Sequence, residues 1–117
     1  MSDIKRLSGG ARGRSRASIY QDLVFTVATA ADAGPDIASQ TSATLAQLDR
    51  NLADAGSDKT RILSATVYIT DMALKTDMDR VWCEWIGEPE NWPQRACVQT
   101  GLEGATLVEI VLTATRK

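Results

Sequence analysis

The chain ends in "ATLVEIVLTATRK", a segment that is apolar on both faces when read as a strand. Val108, Ile110, Leu112 and Ala114 form one face. Leu107, Glu109, Val111 and Thr113 form the other, and Glu109 is the only charge on it. Side chains alternate across a strand, so apolar character on both sides predicts burial on both sides. Upstream there are sequence signals for only two helices, and two helices cover only one face of a small sheet. The second face is therefore expected to pack against another copy of the chain.

The upstream segments complete an α+β layered domain spanning 1–117, with no internal linker. Ala17 to Ala30 is rich in β-branched and aromatic residues and predicts a hairpin turning near Gln21-Asp22. "DAGPD" then breaks the chain. From Ile37 an apolar stripe of Ile37, Thr41, Leu45, Leu48 and Leu52 recurs at helical steps, with Asp36 as N-cap and Gly56 as stop. Alternation returns in "TRILSATVYITDM". There Leu63, Ala65, Val67 and Ile69 are expected on one face, and Ile62, Ser64, Thr66, Tyr68 and Thr70 on the other. A second helix carries Leu74, Met78, Val81, Trp82 and Trp85 on one side and ends at Gly87 and Pro89. Its two indoles are expected in the core or at an interface. "ACVQTGL" reads as a half-buried strand.

Composition narrows the function. Thirteen basic against fifteen acidic residues leave a net charge of −2, which argues against a dedicated nucleic-acid binder. The basic residues are uneven: Lys5, Arg6, Arg12, Arg14 and Arg16 crowd residues 1–16. This segment is expected to be a solvated, partly flexible arm, the alternative being a contact with RNA or an acidic partner. The chain has no histidine, so the commonest metal ligand and neutral-pH base are missing. Cys83 and Cys97 have no metal-site or disulfide-scaffold spacing. No apolar run reaches the length of a membrane span, and no apolar segment follows the N-terminal charges. A cytoplasmic protein without a membrane partner is expected.

Two charges stand in strands that otherwise read as buried: Arg95, just after Trp92-Pro93, and Glu109. One explanation is an ion pair, within the chain or between subunits. The other is an apolar-walled site in which a planar guanidinium grips a carboxylate through two parallel hydrogen bonds and a carboxylate holds a water.

The blocks "QTSATLAQLDRNLADAGSDKTRILSATVYITDM", "VWCEWI", "PQRACVQTGL" and "LVEIVLTA" resemble the RidA/YjgF family of enamine/imine deaminases, also labelled L-PSP endoribonucleases. The resemblance runs from Arg16 onward and is most specific in "AGSDKTRILSATVYI" and in P-x-R-x-C-V from Pro93 to Val98. It implies a chorismate-mutase-like fold, a mixed sheet with two helices on one face, assembled as a homotrimer with clefts between subunits. It implies hydrolysis of reactive 2-imino or 2-enamino acids to 2-keto acids and ammonia, without metal or cofactor. By resemblance Arg95 binds the substrate carboxylate, Cys97 lies beside substrate and water, and Glu109 helps place the water. Val27-Ala28 replaces the Ser-Gly pair of the archetypes, and Tyr20 does not match their tyrosine. A cleft that binds small carboxylates without turnover is the alternative, followed by single-stranded RNA cleavage or translation inhibition.

Overall fold

A computed structural model of the protein describes residues 3–117. Its strands are β1 (Ile4–Ser8), β2 (Ser15–Tyr20), β3 (Leu23–Thr29), β4 (Ile62–Ile69), β5 (Gln94–Gln99) and β6 (Val108–Thr115). Helix α1 (Ile37–Asp54) follows β3, and α2 (Lys75–Ile86) follows β4. The strands form one sheet in the order β1-β2-β3-β6-β4-β5. All neighbours are antiparallel except β4 and β5. That one parallel pair needs a crossover, and α2 supplies it.

Local chemistry sets the elements. Gln21 and Asp22 make the two-residue turn between β2 and β3, with Gln21 at φ 54°. Asp36 caps α1 by accepting from the Ser39 N–H at 2.8 Å, which satisfies one of the free donors of the first turn. Gly56 and Gly87, at φ 82° and 78°, close α1 and α2 in backbone conformations that a side chain would strain.

Both helices pack on the sheet face that presents Val24, Ala65, Val67, Ile110 and Leu112. Leu45, Leu48 and Leu52 of α1 meet Met78, Trp82 and Ile86 of α2 in the same core. Trp85 Nε1 also donates to Asp49 at 3.0 Å, tying α2 to α1. The opposite face carries Phe25, Val27, Val111, Tyr68 and Val98, and no layer of the described residues covers it; Phe25 is 45% and Val98 41% exposed.

Three expectations are corrected. Residues 4–8 are not a free arm: they pair with β2 as an edge strand, though their side chains remain largely exposed. Leu63 does not share a face with Ala65. The β4–β6 register shifts between Ile62 and Ser64, so Ile62 points into the core and Leu63 is 51% exposed. The segment expected at "ACVQTGL" begins earlier and ends earlier, at Gln94–Gln99, with Arg95 as its second residue.

Candidate functional site

Arg95 and Cys97 point from β5 toward the helices. In the parallel register Arg95 pairs with Ala65 and Cys97 with Val67, both core-facing. Arg95 Nη2 donates to Asp79 Oδ1 at 2.6 Å, and its Nη1 lies 4.0 Å from the Met78 sulfur. The guanidinium carbon stands 5.4 Å from the centre of the Trp82 ring, within cation–π range. Lys75 Nζ donates to the other Asp79 oxygen at 2.7 Å. Asp79 thus bridges Lys75, one turn earlier on α2, and Arg95 of β5.

These neighbours set the local acidity. Burial works to raise the Asp79 carboxyl, but the hydrogen bonds and charges of Lys75 and Arg95 outweigh it and hold the group below the ordinary carboxylate value. Burial dominates at Cys97 and pushes its thiol up, against the pull of Arg95 and Lys75. Cys97 packs against the core, and its surroundings favour the protonated thiol.

Glu109 sits elsewhere. It pairs with Tyr68 of β4 and Thr29 of β3 on the open face. It also lines a cleft of about 710 Å³ at the sheet end where β2 and β6 begin and β3 ends. Val27, Ala28 and Arg14 line the same cleft, with loops 9–11 and 103–106 as its rims. Val27-Ala28 thus gives this cleft an apolar edge where a hydroxyl was the alternative. Tyr20 lies at the opposite end of the hairpin, at the Tyr20–Leu23 pair, and takes no part.

Buried polar side chains fix the cleft walls. Gln40 is fully buried; its amide donates to the Gly34 and Ala105 carbonyls at 2.8 and 3.0 Å and accepts from the Leu107 N–H at 2.9 Å. One side chain thereby locks the loop ahead of Glu109 onto α1. Asn51, also fully buried, accepts from Arg16 and Gln47 at 2.9 and 2.8 Å and donates to Thr26 at 3.1 Å. Arg16 further donates to Ser8 O and Asp54 at 3.0 and 2.9 Å, which uses it as a brace between β1, β2 and α1.

Arg95 and Glu109 consequently do not meet within one chain. They occupy opposite faces, and β4 runs between their strands. The ion pair considered from sequence is not Arg95–Glu109 here; the partner is Asp79. Sequence reasoning missed Asp79, although its place beside Met78, at the border of the α2 apolar stripe, was a signal. Among the described residues no three His, Cys, Asp or Glu side chains gather where they could hold a metal ion. No helix among them is long and apolar enough to cross a membrane.

Comparison with known proteins adds a family context. Residues 19–116 match the family described as Endoribonuclease L-PSP. A RutC family protein from Haemophilus ducreyi is 40% identical over 102 residues, covering 86% of each chain. The RutC family protein YoaB of Escherichia coli K12 is 32% identical over 99 residues, covering 85% of each. Among solved structures, a YjgF family member from Neisseria meningitidis superposes with a TM-score of 0.91 at 35% identity, covering 98% of this chain and 96% of that one.

Proposed function

We propose that this chain, which belongs to the Endoribonuclease L-PSP family together with the RutC and YjgF proteins, hydrolyses reactive 2-imino and 2-enamino acids to 2-keto acids and ammonia. The observation that carries this reading is the separation of the two half-sites. Arg95 and Cys97 face the helices at one sheet edge, while Glu109 stands on the opposite face and lines a cleft at the end of the sheet. The uncovered apolar face gives a second copy of the chain somewhere to dock. Assembly as a homotrimer would set Arg95 of one copy against the Glu109 cleft of the next.

The chemistry asks little of such a site. An iminium carbon is already electrophilic, so orientation and a placed water supply most of the rate. Arg95 has donors left beside its Asp79 bond and grips the substrate carboxylate with two of them. Glu109 accepts a hydrogen bond from water and takes its proton as the oxygen bonds to the iminium carbon. The resulting amino alcohol collapses: Glu109 passes the proton to nitrogen, the C–N bond breaks, ammonia leaves, and Glu109 takes the hydroxyl proton as the carbonyl forms. Val27 and Ala28 shield the reacting carbon from bulk solvent. Water is the only co-reactant.

A binding role without turnover uses the same groups and is separated by experiment. RNA cleavage has one observation behind it beyond the family description: Lys5, Arg6 and Arg12 are exposed, with no acidic partner among the described residues. The net charge of −2 and the absence of histidine weigh against it. In the test, an amino-acid oxidase generates a panel of 2-imino acids and their decay is followed with and without the protein. Faster decay with stoichiometric ammonia is expected. No acceleration on any imine, together with saturable binding of a 2-keto acid, replaces the enzyme with a binding protein.

A further inference from the structure

An arginine that binds a carboxylate is poorly served by a permanent acidic partner. A one-to-one bridge neutralises the guanidinium and places a repelling charge where the ligand's carboxylate must approach. Yet Arg95 donates to Asp79 at 2.6 Å, and the pair is sheltered, with side chains 18% and 30% exposed. The arrangement is therefore costly for a carboxylate site unless something offsets the acid.

Lys75 supplies the offset. Its Nζ lies 2.7 Å from the Asp79 oxygen that Arg95 does not use. Two cations share one carboxylate, so the triad carries one net positive charge. At the same time Asp79 holds Nη2, Met78 lies along Nη1, and the Trp82 ring covers one guanidinium face. The plane of Arg95 is fixed on several sides, and a fixed plane is what two parallel hydrogen bonds to a carboxylate require.

We infer that Asp79 is a positioning residue that sets the plane of Arg95, and that Lys75 offsets the Asp79 charge so that Arg95 still accepts a monocarboxylate. Neither residue touches the substrate; both act through Arg95. The inference rests on the carboxylate-anchor role given to Arg95 above.

The two residues have separable signatures. Asp79→Asn removes the repelling charge and the firm hold together. The carboxylate is still attracted, but its geometry is looser, so kcat should fall roughly tenfold while KM stays level or drops. Asp79→Glu should recover part of the loss. Lys75→Met leaves Asp79 and Arg95 to neutralise each other, so KM should rise about three- to tenfold with kcat retained. Affinity for 2-oxobutanoate, measured by calorimetry, should weaken by the same factor. Melting curves and active-site concentrations normalise each variant for folding. A purely structural salt bridge would lower stability but leave both constants unchanged per active site, and that result overturns the inference. Wild-type protein that binds 2-oxobutanoate in a Lys75-dependent way yet hydrolyses no imine would preserve the triad's role and refute the deaminase. If wild type neither hydrolyses imines nor binds 2-oxobutanoate, both fail.

Discussion

Arg95 and Glu109 project from opposite faces of one sheet, with strand β4 between the strands that carry them. No side-chain rotation brings them together. A site that uses both therefore needs two copies of the chain, and the proposed function predicts that the uncovered sheet face is where they meet.

That face should be an interface. Phe25, Val98 and Val111 are 45%, 41% and 36% exposed in the single chain, and Val27 pairs with Val111 at its centre. Light scattering or sedimentation at micromolar concentration should show a homotrimer. Val111→Glu places a charge in the middle of the contact and should yield a folded monomer without turnover, because the opposite face holds the core. A monomeric wild type would remove the interface and the shared site together.

Arg95→Lys keeps the charge and loses the two-pronged grip. With charge-assisted hydrogen bonds contributing about 1.5–3 kcal/mol each, kcat/KM should fall roughly ten- to a hundredfold. Arg95→Ala should cost more activity. Its effect on stability should stay below the roughly 3–5 kcal/mol of breaking a fully buried pair, since Asp79 regains water and keeps Lys75. Turnover and melting temperature on both variants check this.

The Asp79 bridge should also be visible in acid. Its folded-state value lies below the ordinary carboxylate value, so its contribution is complete above the unfolded value near pH 4 and disappears as pH falls through the folded one. Melting temperatures of wild type and Asp79→Asn should differ at pH 7 and converge below about pH 4. A gap that persists unchanged at low pH would mean that the charge of Asp79 contributes nothing.

Much of this architecture is legible in the sequence, and the parts that are not share a cause. Helix α1 is announced by Asp36 and by a stripe that is buried at every predicted position, Ile37, Thr41, Leu45, Leu48 and Leu52. The hairpin turn and the inward face of β6 are equally plain. Strand β1 is not, because "IKRLS" is exposed at a sheet edge and has no apolar face to betray it. Leu63 misleads because one bulge reverses its direction, and periodicity carries no sign of a bulge. Arg95 and Glu109 stand out as charges among apolar neighbours. Their partners do not, because Asp79 reaches Arg95 only through the fold of the crossover, sixteen residues away.

Cys97 should prove dispensable for bond making. Burial raises its thiol despite Arg95 and Lys75 nearby, which leaves little thiolate at neutral pH. Cys97→Ala should keep turnover within a few-fold of wild type, and wild-type Cys97 should alkylate more slowly than exposed Cys83. A covalent adduct with substrate, trapped at Cys97 and detected by mass spectrometry, would show a nucleophile instead.

The most direct test of a site shared between copies is complementation. Arg95→Ala and Glu109→Gln proteins, each inactive alone, are unfolded together in equal amounts and refolded as mixed oligomers. If Arg95 of one copy works with Glu109 of the next, random mixing rebuilds about a quarter of the sites with both groups intact. Imine hydrolysis should then return to about a quarter of the wild-type rate. If mixed oligomers form and activity stays at the level of the separate variants, the two residues do not act across a subunit boundary, and the shared site is wrong.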